Sequence, residues 1–416
     1  MLTRQESHAR QAMSETPKLS IGVPSRNRQA YFQQTIRDLI RNPRTDIEFV
    51  FADNSDDPSI MNHFMAGIDD PRVRYIPSTS QCLPMEDNWE RVADASSGQW
   101  LCIIGDDDYV DTDLPDILSE IERREPRIEV VGWSRLTYNW PGFRALAGNM
   151  SIQMGNRAAR FSQQQLIRGM FLWENAGHVP SNPFTIYHGA IKRSFAHKMR
   201  ETFNGRFFEH PVVDYEYACK IVHSARHIIY VERPLSVLGA CPKSNSAAIG
   251  NFEKSLENYK ALVAETGGGQ EMSAWMDGFP FNAPLGVAGS IMGTQHWFKS
   301  KYNFPVDGWE ENFIAAMARD CGRAETRRTF DMQVELCRQA LATWRNGRFL
   351  KQFSPHYIER MNAPVYTGML NNTLYIDEKI GGAATPAALF DIVKCLVDQP
   401  ENINFLMGTR SLPSAA

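Results

Sequence analysis

Three consecutive carboxylates, Asp106-Asp107-Asp108, follow Gly105 at the end of the apolar run Trp100-Leu101-Cys102-Ile103-Ile104. Like charges set together after a buried strand repel one another, and a cation among them removes that cost. In open α/β sheets, ligands bind beyond the carboxyl ends of the strands. The pattern predicts a divalent-metal site that holds a nucleotide diphosphate, with Mg²⁺ or Mn²⁺ as the hard, oxygen-seeking ion. The alternative is a polar turn capping the next helix, a task that Asp111 and Asp113 suit better.

Four further groups could carry chemistry. Val23-Pro24-Ser25-Arg26-Asn27-Arg28 stands where a first strand meets a first helix. Its arginines can stack on a base or pair with a phosphate, or they are simply solvated. Phe51-Ala52-Asp53-Asn54-Ser55-Asp56-Asp57 ends a second strand. Asp53, nearest the strand, suits acceptance from a base N–H or a ribose hydroxyl, whereas Asp56 and Asp57 suit helix capping. Glu209-His210-Pro211-Val212-Val213-Asp214-Tyr215-Glu216 precedes a helical stretch. A carboxylate there can serve as a general base, or can merely complement the helix dipole. Lys243-Ser244-Asn245-Ser246 either closes over phosphates or is a linker.

The elements that position these groups alternate. Strands are expected at Leu19–Val23, Ile47–Ala52, Val73–Ile76 and Trp100–Ile104, and helices at Tyr31–Arg41, from Pro58, at Pro84–Ala95 and at Leu114–Glu122. Such alternation predicts a mostly parallel sheet covered on both faces. Tyr138–Asn156, with its glycines and Pro141, reads as loop. Order resumes at Phe184–Ala190, Tyr215–His223 and Ile228–Val231. A boundary is placed near Gly250, and the remainder reads as mainly helical: Phe252–Glu265, Thr326–Phe349, and Thr385-Pro386 opening a helix to Val397. The apolar stripe from Phe279 to Tyr302 reads as a buried helix rather than an interface for a lipid-linked acceptor.

The order of VPSRNR, FADNSDD, DNWERVADASSGQWLCIIGDDDYV and VVDYEYACKI resembles the family 2 glycosyltransferases of the GT-A fold, over Lys18 to Ser246. The resemblance implies a Rossmann-like α/β domain, a nucleotide-diphospho-sugar donor with a UDP-sugar favoured, a divalent metal at a DXD-type motif, and inversion at the anomeric carbon. By position, Pro24, Ser25, Arg26 and Arg28 would line the nucleotide pocket, Arg26 where an aromatic residue often stacks on the base. Asp53 would face the base. Asp106 and Asp107 would lie by the ribose or metal, and Asp108 would ligate the metal with Asp106. Asp214 falls where the family places its catalytic base within a Glu-Asp pair. Val213 replaces that Glu, so Glu209 and Glu216 stay as rivals. Lys243 or Arg193 would help neutralise the leaving diphosphate. Asp108→Ala and Asp214→Asn are each expected to abolish transfer in a folded chain.

Length and composition are compatible with this reading. The 416 residues give room for a tail (1–17), a GT-A domain (18–249) and a helical C-terminal domain (250–416). Hydrophobic and charged contents of 43% and 22% are those of a globular protein, and the formal charge of -4 argues against nucleic acid as a partner. Seven scattered cysteines without zinc spacing suggest a reducing compartment. The expected setting is cytoplasmic, with room for peripheral contact at the inner face of a membrane and for homo-oligomers. The acceptor is expected to be a glycan or lipid-linked hydroxyl. The rival classes are a non-catalytic glycan-binding scaffold on a degenerate transferase fold, and a sugar nucleotidyltransferase. The second needs a glycine-rich loop after strand one, and Gly22, inside the strand, is no such loop. A dinucleotide oxidoreductase fails for want of G-x-G-x-x-G.

Overall fold

The computed structural model describes residues 16–143, 149–244, 257, 275–359, 366–377 and 379–409. The proposed tail up to residue 15, the boundary near Gly250, Asn245-Ser246, and the helix expected at Phe252–Glu265 (Glu257 apart) lie outside the described residues.

The four expected strands are β1 Leu19–Ser25, β2 Ile47–Asp53, β3 Val73–Ile76 and β4 Trp100–Ile103. They run parallel in the spatial order β4-β1-β2-β3. Helices α1 Gln29–Ile40, α2 Ser59–Met65 and α3 Met85–Ala95 connect them, and α4 Leu114–Arg124 follows. β2 shows why the sheet is covered twice. Phe49 and Phe51 pack on one side with Phe32 and Ile36 of α1. Val50 and Ala52 pack on the other with Trp89 and Val92 of α3. Each such large side chain contributes about 1.5–3 kcal/mol by leaving water. A slip of one residue would exchange the two faces, so the register is firmly set.

Next along the chain come β5 Tyr109–Val110, β6 Val130–Asn139, β7 Asn149–Gln153, β8 Arg157–Phe161, β9 Gly189–Lys192 and β10 Ile228–Ala240. Helices α5 Gln163–Met170, α6 Arg193–Thr202 and α7 Val213–Ser224 lie among them. β9 runs antiparallel between β4 and β6, and β10 lies parallel to β6. The stretch Tyr138–Asn156, expected as loop, is a correction. β6 runs to Asn139, and β7 is a strand whose Met150 and Ile152 are fully buried. Its partner, β12 Thr373–Asp377, is remote in sequence, and β11 Gly368–Leu370 pairs with β12 in turn.

The C-terminal region is mainly helical: α8 Val287–Lys301, α9 Glu310–Cys321, α10 Arg327–Thr343 and α11 Pro386–Lys394. Thr326 and Thr385 cap α10 and α11, each accepting a backbone N–H at 3.1 Å. α8 to α10 form a core of their own around Phe281, Phe313, Met317, Leu341 and Trp344. The Phe279–Tyr302 stripe is buried, as expected of a core helix, and Trp297 and Phe298 of α8 join the α3 face of the sheet. The last residues return to the N-terminal half. Leu389, Phe390 and Val393 of α11 pack on the α1 face, and β13 Asn404–Thr409 pairs parallel with β8. Arg233, fully buried on β10, donates to the carbonyl of Asp398 at 2.7 Å and lies 3.6 Å from Asp111. Among the described residues no helix is long and apolar enough to cross a membrane.

Candidate active site

β1, β2 and β4 end at one edge of the sheet, and the carboxylates sit there. Asp106, Asp107 and Asp108 are all buried. Each has a different task. Asp106 accepts from Ser25 Oγ at 2.5 Å and pairs side-on with Arg28, Nη2 at 2.5 Å and Nε at 3.1 Å. Asp107 accepts from Ser244 Oγ at 2.6 Å and lies 3.4 Å from Arg28 Nη1. Asp108 turns inward. Its Oδ2 accepts from the Gly105 N–H at 2.8 Å and its Oδ1 from the Gly239 N–H at 2.7 Å. It thus ties the end of β4 to the end of β10. Gly239 is required by close approach: a Cβ there would stand 1.7 Å from the Asp107 carbonyl oxygen. That carbonyl accepts from Trp140 Nε1 at 3.0 Å.

Burial raises the pKa of Asp108 well above the carboxylate range, with Asp107 adding to it. Burial raises Asp106 too, against the pull of Arg28. Burial alone would lower Arg28, but Asp106 and Asp107 outweigh it and keep the guanidinium charged. One cation for the triplet is thus supplied by the chain itself. Among the described residues, no three His, Cys, Asp or Glu side chains gather as a metal-binding group. The expectation of Asp108 and Asp106 as metal ligands meets a chain that already engages both. Asp107, like Asp106, meets side chains, Arg28 and Ser244, rather than backbone N–H groups.

Asp53, at the end of β2, is fully buried. Its Oδ1 accepts from the N–H and hydroxyl of Ser55 at 3.1 and 2.6 Å, and its Oδ2 has no partner. An orphaned buried carboxylate oxygen is costly, and it marks a place for an N–H or O–H from outside the chain. Burial raises its pKa. Arg91 donates to its backbone carbonyl at 3.2 Å. Pro24 lies opposite Ala52 and Ser25 opposite Asp53 in the β1–β2 ladder, with Arg26 following, so the predicted nucleotide-binding residues are brought together. Asn27, at a left-handed φ of 56°, ties this loop to Ser55 and Asp56. Lys243 donates to the Asn27 carbonyl at 3.1 Å and so lies at the rim. Arg193 does not. It sits at the far end of β4, donating to the Gly98 carbonyl at 2.6 Å.

The rivals for the general base separate cleanly. Glu216 is fully buried, pairs with Lys220 at 2.8 Å, and accepts from the N–H groups of Glu209 and His210. Glu209 pairs with Lys220 at 2.9 Å and Lys301 at 2.8 Å, and accepts from the Tyr302 hydroxyl. Burial would raise its pKa, but these partners hold it down at about 2. Both are structural acids. Asp214, in the first turn of α7, accepts the Tyr215 N–H at 2.9 Å and meets no cation among the described residues. Burial pushes it up to about 6, against its two backbone hydrogen bonds. Of these three carboxylates it is the one raised by burial with no lysine beside it.

Tyr187 went unnoticed in the sequence. It lies on a short 3₁₀ turn, Ile186–His188, which touches β4, β6, α7 and β10. No local pattern marks it, because only the antiparallel placing of β9 beside β4 brings it to the site.

A sheet edge with these carboxylates defines the ligand end of a doubly wound nucleotide-binding domain. Residues 20–187 match the model of the family described as glycosyl transferase family 2, so this part of the chain is similar to that family and supports glycosyltransferase activity. Solved structures with similarity include S. aureus TarS 1–349 in complex with UDP-GlcNAc, at 12% identity and a TM-score of 0.43 over 81% of this chain and 89% of that one. S. aureus TarS 1–349 alone matches at 12% identity and a TM-score of 0.40 over the same shares. The longer S. aureus TarS matches at 14% identity and a TM-score of 0.40, over 81% of this chain and 54% of that one. No curated protein matches the sequence.

Proposed function

We propose that the protein moves a sugar from a nucleotide-diphospho-sugar, a UDP-sugar by preference, to a hydroxyl of a glycan or lipid-linked acceptor, with inversion. The observation that carries this reading is the carboxylate of Asp214, which meets no cation among the described residues while Glu209 and Glu216 beside it are paired with lysines. Asp53 would take a base N–H on its orphaned oxygen. Asp214 would remove the acceptor proton as the acceptor oxygen attacks the anomeric carbon and the bond to the diphosphate breaks. The transition state would be oxocarbenium-like. Arg28, already aimed at the triplet, would face the departing diphosphate. A divalent ion would be held at Asp107, whose own contacts to Arg28 and Ser244 are side-chain contacts, while Asp108 is committed to two backbone N–H groups. Phosphates and water would fill the rest of an Mg²⁺ or Mn²⁺ shell, and the ion would neutralise charge on the diphosphate.

The test is a thermal-shift screen of UDP, GDP and dTDP, each with Mn²⁺, Mg²⁺ or EDTA. A ligand bound to the native state alone raises the midpoint by mass action. One diphosphate is expected to do so. Asp53→Ala is expected to weaken that diphosphate about tenfold, the loss of one buried hydrogen bond to a charged group. No shift with any of them in the unaltered protein would overturn the proposal.

The pH profile gives a second check. The base must be ionised, and burial sets Asp214 at about 6. kcat/KM is therefore expected to fall as pH drops through about 6 and to level off above it. A profile flat down to pH ~5 would remove Asp214 from this role.

A further inference from the structure

Tyr187 is partly buried, and its hydroxyl makes no hydrogen bond among the described residues, yet is not among the sealed, orphaned atoms. Its oxygen therefore keeps contact with solvent, and the antiparallel β4–β9 ladder, with Trp100 opposite Lys192 and Leu101 opposite Ile191, sets the turn that bears it toward the carboxyl end of β4. Its ring meets Trp89 edge-on at 5.5 Å between centroids, which fixes its plane. The turn beneath is anchored. His188 Nδ1 lies 2.8 Å from Ser236 Oγ, which also accepts from Trp133 Nε1 at 2.9 Å, all fully or nearly fully buried. The phenol is thus a preset donor and acceptor rather than a mobile one. Burial raises its pKa first, and Asp214, Asp108 and Asp107 then raise it further against Arg28, so the candidate base and the triplet both lie within its field.

Resting on the nucleotide-sugar reading above, we infer that Tyr187 binds the transferred sugar and helps select it. In that reading the diphosphate lies at the triplet and the attacking oxygen at Asp214. The group between them is the sugar. Among the charged side chains in that field Asp214, Asp107 and Asp108 are carboxylates, and Arg28 is paired with Asp106 and Asp107. The pocket therefore suits a neutral sugar presenting a hydroxyl or an acetamido oxygen, and repels a uronate.

The experiment compares UDP, UDP-glucose, UDP-N-acetylglucosamine and UDP-glucuronate on the unaltered protein and on Tyr187→Phe by titration calorimetry. Tyr187→Phe removes one hydroxyl with no partner in the chain, so the melting temperature should not move. UDP should bind both proteins alike. The better neutral sugar nucleotide should bind the variant about five- to tenfold more weakly, the worth of one hydrogen bond. UDP-glucuronate should be the weakest ligand of the unaltered protein. Equal weakening of UDP and its sugar conjugates would make Tyr187 a diphosphate ligand and overturn the inference. No weakening of either would overturn it as well. Failure of every nucleoside diphosphate in the earlier screen is a different result, and strikes the site reading itself.

Discussion

Asp214→Asn is expected to lower kcat by about 10³-fold, within the range a positioned base contributes. Nucleoside diphosphate affinity and melting temperature should stay unchanged. The side chain stands at the first turn of α7 with one oxygen on the Tyr215 N–H. Asn keeps that acceptor and nearly the same volume, but it cannot take a proton. Glu209 and Glu216 provide the contrast. Both are bound into a cluster with Lys220, so their neutral variants should cost stability before catalysis. Steady-state kinetics beside a binding titration separates the cases. An Asp214→Asn variant with most of its kcat intact would move the base elsewhere.

Asp107→Ala and Asp108→Ala should part company just as sharply. Asp107 is held by the side chains of Arg28 and Ser244. Its loss should lower kcat/KM by about 10²–10³-fold, the usual scale for one preorganised charge contact, with little change in stability. Asp108 holds two buried backbone N–H groups, and truncation leaves both without a partner. That should cost about 2–3 kcal/mol, read as a lower urea midpoint with unchanged slope. The sequence reading expects an Asp108→Ala protein that is inactive but folded, and the two buried hydrogen bonds add a loss of stability to that expectation. A stable, inactive Asp108→Ala beside a destabilised Asp107→Ala would reverse the assignment.

Local patterns carried much of this molecule. β1 to β4 and the helices between them follow from apolar runs and turn residues whose partners are close in sequence. Asp53 and the triplet were legible because strand ends and ligand edges coincide in parallel sheets. What escaped was set by distant pairing. Nothing in Asp106-Asp107-Asp108 says which carboxylate turns inward. That depends on the Gly239 N–H, which β10 brings alongside. Glu209 and Glu216 look as good as Asp214 until Lys220 and Lys301 arrive from α7 and α8. β7 reads as loop because its partner strand is encoded at Thr373–Asp377.

The return of α11 and β13 to the first sheet has a consequence for how the protein is made. During synthesis the carboxylate edge can take shape early, since its strands and helices are contiguous. The face that receives Phe390 beside Tyr109 stays bare, and β8 stays an open edge, until α11 and β13 leave the ribosome. Uncovered strand edges and apolar faces invite other chains. The nascent chain therefore passes through a stage in which its carboxylate edge is nearly formed while residues 386–409 are still the missing guard against self-association.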